Sequence, residues 1–465
     1  MSVVVLGGGV SGLSAAHYLK TSGLASRILV LEASDRLGGW VNSKRYEDGI
    51  IYEMGPRTLR VAYNAGANTL ALAETLNLTE KIINVSYGHP STKNRMIQVE
   101  GKLHKLPNSL PGILKKVPPF TKPLVMAALH DIRAKKVVNE DESLYSFVNR
   151  RFGSEVAKYA IDPLARGVFA GNAKDLSVTS LARRMHEVEQ KYGSVLKGFL
   201  KDRKNSEKPD PELMKSPLVQ RARKEKWAVW SLEGGLETLI ESLEQSNSRD
   251  GVEIRTNTEV KGISKNGNRL IIQTDNEEFC ADRVISCLPT CNLKSVIRNL
   301  SPELATLVGF IPFATVAVVS LEYDGQVLQE PAFGYLVPSS QPNKVLGVVF
   351  DTCTFPQNNQ TILTVMMGGY WFRELFGDSP SEDNLLKIAL EEIKNSLSIS
   401  NDPVRFHVSI QKDCIPQYIV GHSQAVTNAR KLIGDLKIPL ALAGNSYDGA
   451  GVNDAIISAK RAFLQ

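Results

Sequence analysis

The chain has 465 residues, of which 43% are hydrophobic and 22% charged, with a formal net charge of +6. At roughly 100 to 200 residues per domain, this length predicts two to four domains. The composition excludes a disordered or collagen-like chain, and the small positive charge gives no reason to expect a nucleic-acid partner.

The first predicted element is a strand that runs into a cluster of glycines. Val3–Leu6 is an unbroken apolar run, and a helix with apolar residues at Leu13, Ala16 and Leu19 follows it. Between them lie the residues of a G-x-G-x-x-G motif: Gly7, Gly8, Gly9, Val10, Ser11 and Gly12. In this motif the glycines allow a tight turn and a close approach of the backbone to a pyrophosphate, which binds the N–H groups at the helix start.

A second strand is predicted over 27–31, and it ends at an acidic residue, Glu32. Glu32 lies about 20 residues beyond the last glycine, and its carboxylate is suited to accept a hydrogen bond from a ribose 2′-OH. The order of strand, glycines, helix, strand and acid predicts an adenine dinucleotide as the ligand. NAD and FAD are both open at this point.

The segment after the acid reads Ala33-Ser-Asp-Arg36-Leu-Gly-Gly39-Trp40 and adds a second glycine pair. It resembles the flavin-containing amine oxidase superfamily, in which a D-R-x-G-G turn continues along the dinucleotide. The resemblance implies FAD as the cofactor, and noncovalent binding because no cysteine lies near Asn445, where some members link their flavin. It also implies that a further set of residues lies beside the isoalloxazine ring: Gly55, Pro56, Arg57 and Thr58.

A basic segment spans 93–136. The segment contains ten lysines and arginines but only two acidic residues, Glu100 and Asp131. Its basic residues alternate with apolar residues and prolines. Such a composition is suited to binding an anionic membrane surface without crossing it. The charged, proline-bearing stretch over 201–226 is predicted to be a mobile linker.

A FAD-binding domain of this superfamily is discontinuous, and two later stretches resemble its remaining parts. The first runs from Trp230 through Val260, the expected adenine-side residue, to a strand that ends at Pro289. The second contains an apolar strand over 440–444 and a helix predicted over 455–463, whose N-terminus can stabilise an anionic reduced flavin. The resemblance implies cofactor contacts in this last part from four residues: Asn445, Ala450, Gly451 and Val452.

Within the superfamily, several stretches resemble one family, the animal mitochondrial protoporphyrinogen oxidases. These stretches are, in chain order, 38–40, 93–96, 166–172, 333–340, 414–418 and 452–454. The resemblance implies a six-electron oxidation of protoporphyrinogen IX to protoporphyrin IX, as three hydride transfers to the flavin with O2 as the final acceptor. The alternatives are an FAD-dependent amine or polyamine oxidase, or a non-catalytic flavin-binding protein.

The implied substrate is a large apolar macrocycle with two propionates, so its pocket should be apolar and contain a cation. The resemblance assigns the propionate to Arg95, whose guanidinium can bind a carboxylate through two hydrogen bonds. It assigns close approach to the backbone to Gly167, and the apolar walls to four side chains: Phe333, Leu336, Met366 and Ile415. We expect no catalytic side chain and no metal site, because the electron chemistry belongs to the cofactor and the seven histidines and five cysteines are scattered.

The predicted fold class is mixed α/β, with a Rossmann-type FAD-binding domain, a mixed-sheet substrate domain and a helical membrane-facing insert. The expected boundaries assign 1–88, 206–289 and 421–465 to the FAD-binding domain, 89–205 to the insert and 290–420 to the substrate domain. The resemblance further implies a homodimer, peripheral attachment to the inner mitochondrial membrane on the intermembrane-space side, and handover of the product to ferrochelatase.

Overall fold

The computed structural model describes residues 1–202 and 208–462 of the chain. Its strands are, in chain order, β1 (Ser2–Leu6), β2 (Arg27–Leu31), β3 (Ser43–Arg45), β4 (Ile51–Glu53), β5 (Leu59–Arg60), β6 (Ile82–Ser86), β7 (Met96–Val99), β8 (Lys102–Lys105), β9 (Trp227–Leu232), β10 (Glu253–Arg255), β11 (Gly262–Asn266), β12 (Arg269–Gln273), β13 (Glu278–Ala281), β14 (Arg283–Ser286), β15 (Phe313–Tyr323), β16 (Gly334–Leu336), β17 (Val345–Phe350), β18 (Thr361–Gly369), β19 (Arg405–Pro416) and β20 (Leu440–Leu442). Its α-helices are α1 (Val10–Ser22), α2 (Tyr63–Thr75), α3 (Pro90–Lys93), α4 (Leu110–Leu114), α5 (Val125–Arg133), α6 (Leu144–Phe152), α7 (Ser154–Val156), α8 (Asp162–Val168), α9 (Val178–Leu181), α10 (Arg183–Tyr192), α11 (Val195–Lys201), α12 (Pro217–Lys224), α13 (Glu237–Arg249), α14 (Thr290–Val296), α15 (Pro302–Gly309), α16 (Asp351–Thr354), α17 (Phe372–Phe376), α18 (Glu382–Leu397), α19 (His422–Asp435) and α20 (Val452–Ala462).

A five-stranded parallel sheet in the order β10-β2-β1-β14-β20 is the first layer of the fold. β1 is its central strand, because it pairs with β2 on one side and with β14 on the other. Parallel pairing places the carboxyl ends of all five strands at one edge, where sheets of this kind bind their ligands. The strands predicted over 3–6 and 27–31 are confirmed, the first with one additional residue.

Both faces of this parallel sheet are covered. Val3 and Val5 point towards α1 and α20, whereas Val4 and Leu6 point towards a second core on the opposite face. That second core also contains the small sheet β11-β12-β13 and the helices α14 and α15. The boundary expected at residue 290 is therefore corrected, because α14 and α15 pack with the FAD-binding domain and the substrate sheet begins at β15.

A seven-stranded mixed sheet in the order β19-β15-β18-β17-β16-β7-β8 forms the domain that the sequence predicts to bind the substrate. The β16 and β7 strands pair in parallel, and the other neighbours are antiparallel. One face packs on α18 through Tyr335, Val348 and Val365, which share a core with Leu385. Because β7 and β8 belong to this sheet, the start of the helical insert expected at residue 89 is also corrected: its helical part begins at α4.

The helical insert is held together by a buried ion pair. The side chains of Arg151 and Asp131 are both 0% exposed, and Arg151 Nε donates to Asp131 Oδ1 at 2.7 Å. Asp131 also accepts hydrogen bonds from Ser194 Oγ at 2.6 Å and Leu196 N at 2.9 Å. Burial opposes ionisation of this carboxyl, but the hydrogen bonds from Ser194, Leu196 and Arg151 lower the pKa of Asp131. The α5 helix is thereby fixed to α6 and to the start of α11.

The stretch that was expected to be a mobile linker is helical in its later part. Residues 217–224 form α12, whose Leu218, Val219 and Ala222 are buried in a core shared with α2. This corrects the prediction for that part, and its residues 203–207 lie outside the described residues. None of the helices within the described ranges is both long and apolar enough to cross a bilayer.

Replacing Asp131 by alanine should lower the free energy of unfolding by about 3 kcal/mol, because it removes the carboxylate from a buried guanidinium. Urea unfolding followed by circular dichroism measures this change. Because the pKa of Asp131 is lowered on folding, its contribution is present at neutral pH and is lost as the pH falls below about 4. The control, Glu212→Ala, removes an exposed pair with Lys215 and should cost less than about 1 kcal/mol. Equal costs for the two variants would contradict this account.

Candidate functional site

The carboxyl end of β1 forms a tight turn into α1. Gly7 has φ +96°, and a Cβ on Gly12 would lie 1.8 Å from the Gly7 carbonyl oxygen, so strand and helix meet at backbone distance. Gly9 is the N-cap of α1, and a Cβ there would meet nothing nearer than Gly39, at 3.8 Å. The glycines thus keep the helix close to the strand and leave room in front of its first turn.

The first turn of α1 is a ready binding site for an anion. No side chain among the described residues caps this helix. The first N–H groups of the helix, at Val10 and Ser11, therefore have no intrahelical partner, and they carry the positive end of the helix dipole. This donor set, next to the open side of Gly9, fits the diphosphate of a dinucleotide.

The second glycine pair closes on the first. Gly38 N donates to the Gly8 carbonyl at 2.9 Å, and both Gly38 and Gly39 have positive φ. The guanidinium of Arg36 braces this turn by donating to the carbonyls of Leu37, at 3.0 Å, and Gly39. The predicted D-R-x-G-G segment is therefore a backbone turn that lies beside residues 7–12, here called the phosphate loop.

The third predicted stretch, residues 55–58, joins the same edge. A Cβ on Gly55 would lie 2.0 Å from the Trp40 carbonyl oxygen, so the backbone of Gly55, which precedes Pro56, packs against the residue after the second glycine pair. Arg57 Nη1 donates to Asp351 Oδ1 at 2.7 Å. Arg57 therefore links the FAD-binding domain to the helix that follows β17.

Glu32 lies against the glycine turn between β1 and α1, as its position after β2 predicts. Its Oε2 accepts from Gly8 N at 2.7 Å, and its Oε1 accepts from the backbone and hydroxyl of Ser34 at 2.9 and 2.7 Å. Ala33 is exposed beside it, and Val260 is buried. The carboxylate is thus oriented at the phosphate loop, where the ribose next to the diphosphate would reach it.

The last predicted cofactor residues lie between β20 and α20. The helix begins at Val452, three residues earlier than predicted, and the predicted end at 463 lies outside the described residues. Asp454 Oδ2 accepts from Gly451 N at 3.3 Å, and Asn445 and Ala450 are partly buried in the preceding loop. The N-terminus of α20 is the second helix start near this edge.

Two predicted substrate residues lie in one row of the seven-stranded sheet. Leu336 pairs with Gly347, and Gly347 pairs with Met366, so the two side chains stand on the same face on either side of a glycine. Ile415 belongs to the same apolar cluster as Met366. Gly167 approaches this row so closely that a Cβ there would lie 2.2 Å from Leu336 Cδ2. The structure therefore brings these predicted residues together.

Arg95 lies beside Phe333, with its guanidinium carbon 5.9 Å from the ring centroid. Burial and the nearby Arg60 lower the pKa of Arg95, and no carboxylate of the described residues offsets this effect. An arginine guanidinium is not deprotonated in proteins, so Arg95 keeps its positive charge at neutral pH. It is therefore a cation available to an incoming carboxylate next to the apolar row.

A cavity of about 370 Å³ opens where the two predicted sets meet. Its lining includes two predicted cofactor residues and one predicted substrate residue: Arg57, Thr58 and Phe333. The sheet wall includes Val349 and Thr364, a pair two residues along from the Gly347–Met366 pair on the same face. Residues predicted to contact the cofactor and a residue predicted to contact the substrate thus line one space between the two domains.

Two polar side chains at this site were not assigned from the sequence. Glu53 lines the cavity, and burial raises its pKa to about 7. Hydrogen bonds from Leu236 N and Ser43 Oγ act in the other direction but do not cancel this effect. Arg166 is buried, donates to the Val337 carbonyl at 3.1 Å, and has its pKa lowered to about 10 by burial. No sequence pattern marked Glu53, whereas Arg166 lies within one of the stretches that carried the resemblance.

The sequence matches the model of the family described as flavin-containing amine oxidoreductases over residues 10–462. Protoporphyrinogen oxidase from Homo sapiens is 39% identical over 470 residues, which cover 100% of this chain and 98% of that protein. Protoporphyrinogen oxidase from Bos taurus is 38% identical over 468 residues, with 99% and 97% covered.

Solved structures share the fold. An Exiguobacterium protein has a TM-score of 0.79 at 26% identity, with 99% of this chain and 97% of that chain covered. Cyclohexylamine oxidase from Brevibacterium oxydans has a TM-score of 0.71 at 14% identity, over 100% and 98% of the two chains, which is a likeness of fold alone. The mixed α/β fold class is confirmed, and FAD is the cofactor that the glycine turns fit. The chain belongs to the flavin-containing amine oxidoreductase family.

Proposed function

We propose that the chain is an FAD-dependent oxidase that converts protoporphyrinogen IX to protoporphyrin IX. The observation that carries the proposal is the juxtaposition of an apolar sheet face, a cation at Arg95 and a cavity lined by cofactor residues. The two mammalian relatives, which carry the name of this activity and match over nearly their whole length, support it.

The reaction balances over three two-electron steps. FAD, when bound, supplies the hydride acceptor and passes each electron pair to O2. One protoporphyrinogen IX and three O2 give one protoporphyrin IX and three H2O2. The protein has to bind the macrocycle next to the cofactor, exclude bulk water and hold it in orientation.

The sheet face provides the orientation. Leu336 and Met366 flank Gly347, and Leu336 Cδ2 lies 2.9 Å from the place that a Cβ on this glycine would take, so the wall is apolar and closely packed at this row. A broad macrocycle can lie against such a wall, while one propionate reaches Arg95 at the side of Phe333. Apolar contact and a single charged anchor together determine which edge of the substrate faces the cofactor.

The start of α20 provides electrostatic stabilisation. Its first N–H groups and the helix dipole lie at the edge where the predicted cofactor contacts meet. Negative charge that develops on a ligand at this edge is stabilised by the backbone, with no ionisable side chain required.

An amine oxidase activity is not favoured by the structure. The aromatic residue nearest in sequence to the expected flavin-linking position, Tyr447, is only 5% exposed and belongs to the core behind the parallel sheet. It therefore cannot form a wall around an amine. Aerobic assays separate the two activities: the proposal predicts porphyrin fluorescence and H2O2 with protoporphyrinogen IX and no H2O2 with benzylamine or putrescine. The reverse result would refute it.

We also propose that residues 110–138, here called the insert surface, bind an anionic membrane surface, on the intermembrane-space side of the inner mitochondrial membrane. Large apolar side chains are exposed there, among them Leu110 at 78% and Leu114 at 62%. Lys115 and Lys116 are exposed next to them. Apolar side chains flanked by lysines favour an interfacial position. The homodimer and the handover to ferrochelatase stay predictions.

Replacing Lys115 and Lys116 together by alanine should weaken binding to vesicles that contain anionic lipid by about 30-fold, since each lysine near such a surface contributes about 1 kcal/mol. Co-sedimentation with vesicles measures the change. The matched control replaces Lys387 and Lys394, which are exposed on α18, and should bind as the parent does. A parent protein that does not bind vesicles containing anionic lipid would contradict the proposal.

Replacing Arg95 by alanine should raise KM for protoporphyrinogen IX roughly 10- to 100-fold, because a charge-assisted hydrogen bond contributes about 1.5–3 kcal/mol. The value of kcat and the flavin spectrum should change little, since Arg95 is assigned to substrate alone. Steady-state fluorescence assays give both constants. Lys93→Ala, which removes an exposed charge two residues away, is the control. An unchanged KM would refute the propionate assignment and leave the flavin assignment intact.

Replacing Glu32 by alanine should raise the Kd for FAD by at least tenfold. It removes the acceptor for the ribose hydroxyl and also the hydrogen bond that Gly8 N donates. Titration of apoprotein with FAD, followed by quenching of flavin fluorescence, gives the Kd. Glu303→Ala, on the exposed side of α15, should leave the Kd unchanged. Equal Kd values for the two variants would show that Glu32 does not bind the ribose.

A further inference from the structure

Tyr418 lies buried behind the loop of residues 445–451, here called the flavin loop. Only 2% of the surface of Tyr418 is exposed. Its hydroxyl donates to the Asn445 carbonyl at 2.5 Å and accepts from Gly449 N at 2.9 Å. Residues 445 and 449 of the flavin loop are therefore joined by one hydroxyl group.

The imidazole ring of His422 packs against the ring of Tyr418. The two rings are stacked, with centroids 3.8 Å apart and planes inclined by 14°. His422 Nε2 is 2.9 Å from the Ser446 carbonyl, which can only accept, so Nε2 carries the proton and Nδ1 accepts from Ser180 Oγ at 3.2 Å. Burial lowers the pKa of His422, so the ring is neutral at physiological pH. A third hydrogen bond thereby reaches the flavin loop.

The same segment is bonded to the helical insert. The Tyr418 carbonyl accepts from Ser177 N at 2.7 Å, and Gln417 Nε2 donates to the Phe169 carbonyl at 2.9 Å. Phe169 follows Gly167, which contacts the substrate row, by two residues. The segment that contains Tyr418 therefore connects the flavin loop to the wall of the substrate site.

We propose that Tyr418, supported by His422, is a positioning residue that fixes the flavin loop relative to the substrate face. This inference rests on the proposed function, because the flavin loop is taken to contact FAD. A phenylalanine at this position would remove the partner of the Asn445 carbonyl and of the Gly449 N–H, both of which lie in partly buried residues, so the loop would have to move to find other partners. Displacements of about 1 Å at a reacting centre are enough to reduce rates strongly.

The test is Tyr418→Phe, which keeps the ring and its stacking on His422. The expected result is a roughly tenfold higher Kd for FAD, an altered visible flavin spectrum, and a roughly tenfold lower kcat with KM within about twofold of the parent. The matched control is Tyr335→Phe. Tyr335 is also buried, and its hydroxyl bonds Glu392 at 2.6 Å on the α18 side of the sheet. The control should lower the melting temperature and leave the Kd and the spectrum unchanged.

A Tyr418→Phe protein with the FAD Kd and flavin spectrum of the parent would overturn the proposal, whatever its melting temperature. If that variant does not fold, Ser180→Ala removes the hydrogen bond to His422 Nδ1 and should shift the Kd and spectrum in the same direction by a smaller amount. An unchanged Kd in Ser180→Ala would then overturn it. A parent protein that binds FAD but does not oxidise protoporphyrinogen IX refutes the proposed function alone, since the Kd comparison still decides the role of Tyr418.

Discussion

Backbone contact between glycines is the constraint on which the rest of the structure depends. At Gly12, β1 and α1 approach so closely that a Cβ has no room beside the Gly7 carbonyl. The hydrogen bond from Gly38 to Gly8 then brings the second turn against the first. A side chain at Gly12 would push α1 away from the sheet edge and separate its N–H groups from the place where the parallel strands end. The position of an anionic dinucleotide is therefore set by the backbone before any side chain contributes.

The position of the second domain depends on contacts that its residues make at that edge. Arg57 follows the third stretch of the cofactor site, and its ion pair with Asp351, with side chains 12% and 15% exposed, joins the two domains next to the cavity. The two faces of the seven-stranded sheet have different contacts. One face packs on α18, and the other carries Leu336 and Met366. The hydroxyl of Tyr418, which follows β19, adds a second polar connection, to the flavin loop. A flat cofactor bound at the first edge would therefore be held between two domains that at least two polar contacts join.

The local parts of this arrangement could be predicted from the sequence, and the long-range parts could not. A strand, a glycine turn and a helix form from neighbouring residues, so β1, β2 and Glu32 were found by spacing alone. The row Leu336, Gly347 and Met366 depends on which strands pair, and resemblance supplied two of its members without their register. Gly347 carried no signal. The charged stretch that contains α12 was misread, because its few apolar residues gave too weak a pattern to reveal a packed helix.

The most direct test of the account is a crystal structure of the protein with FAD bound. The account predicts the diphosphate within hydrogen-bond distance of the first turn of α1, and the isoalloxazine ring between residues 55–58 and the sheet face that carries Met366. Electron density for the flavin at any other place, or a diphosphate that does not contact α1, would contradict it.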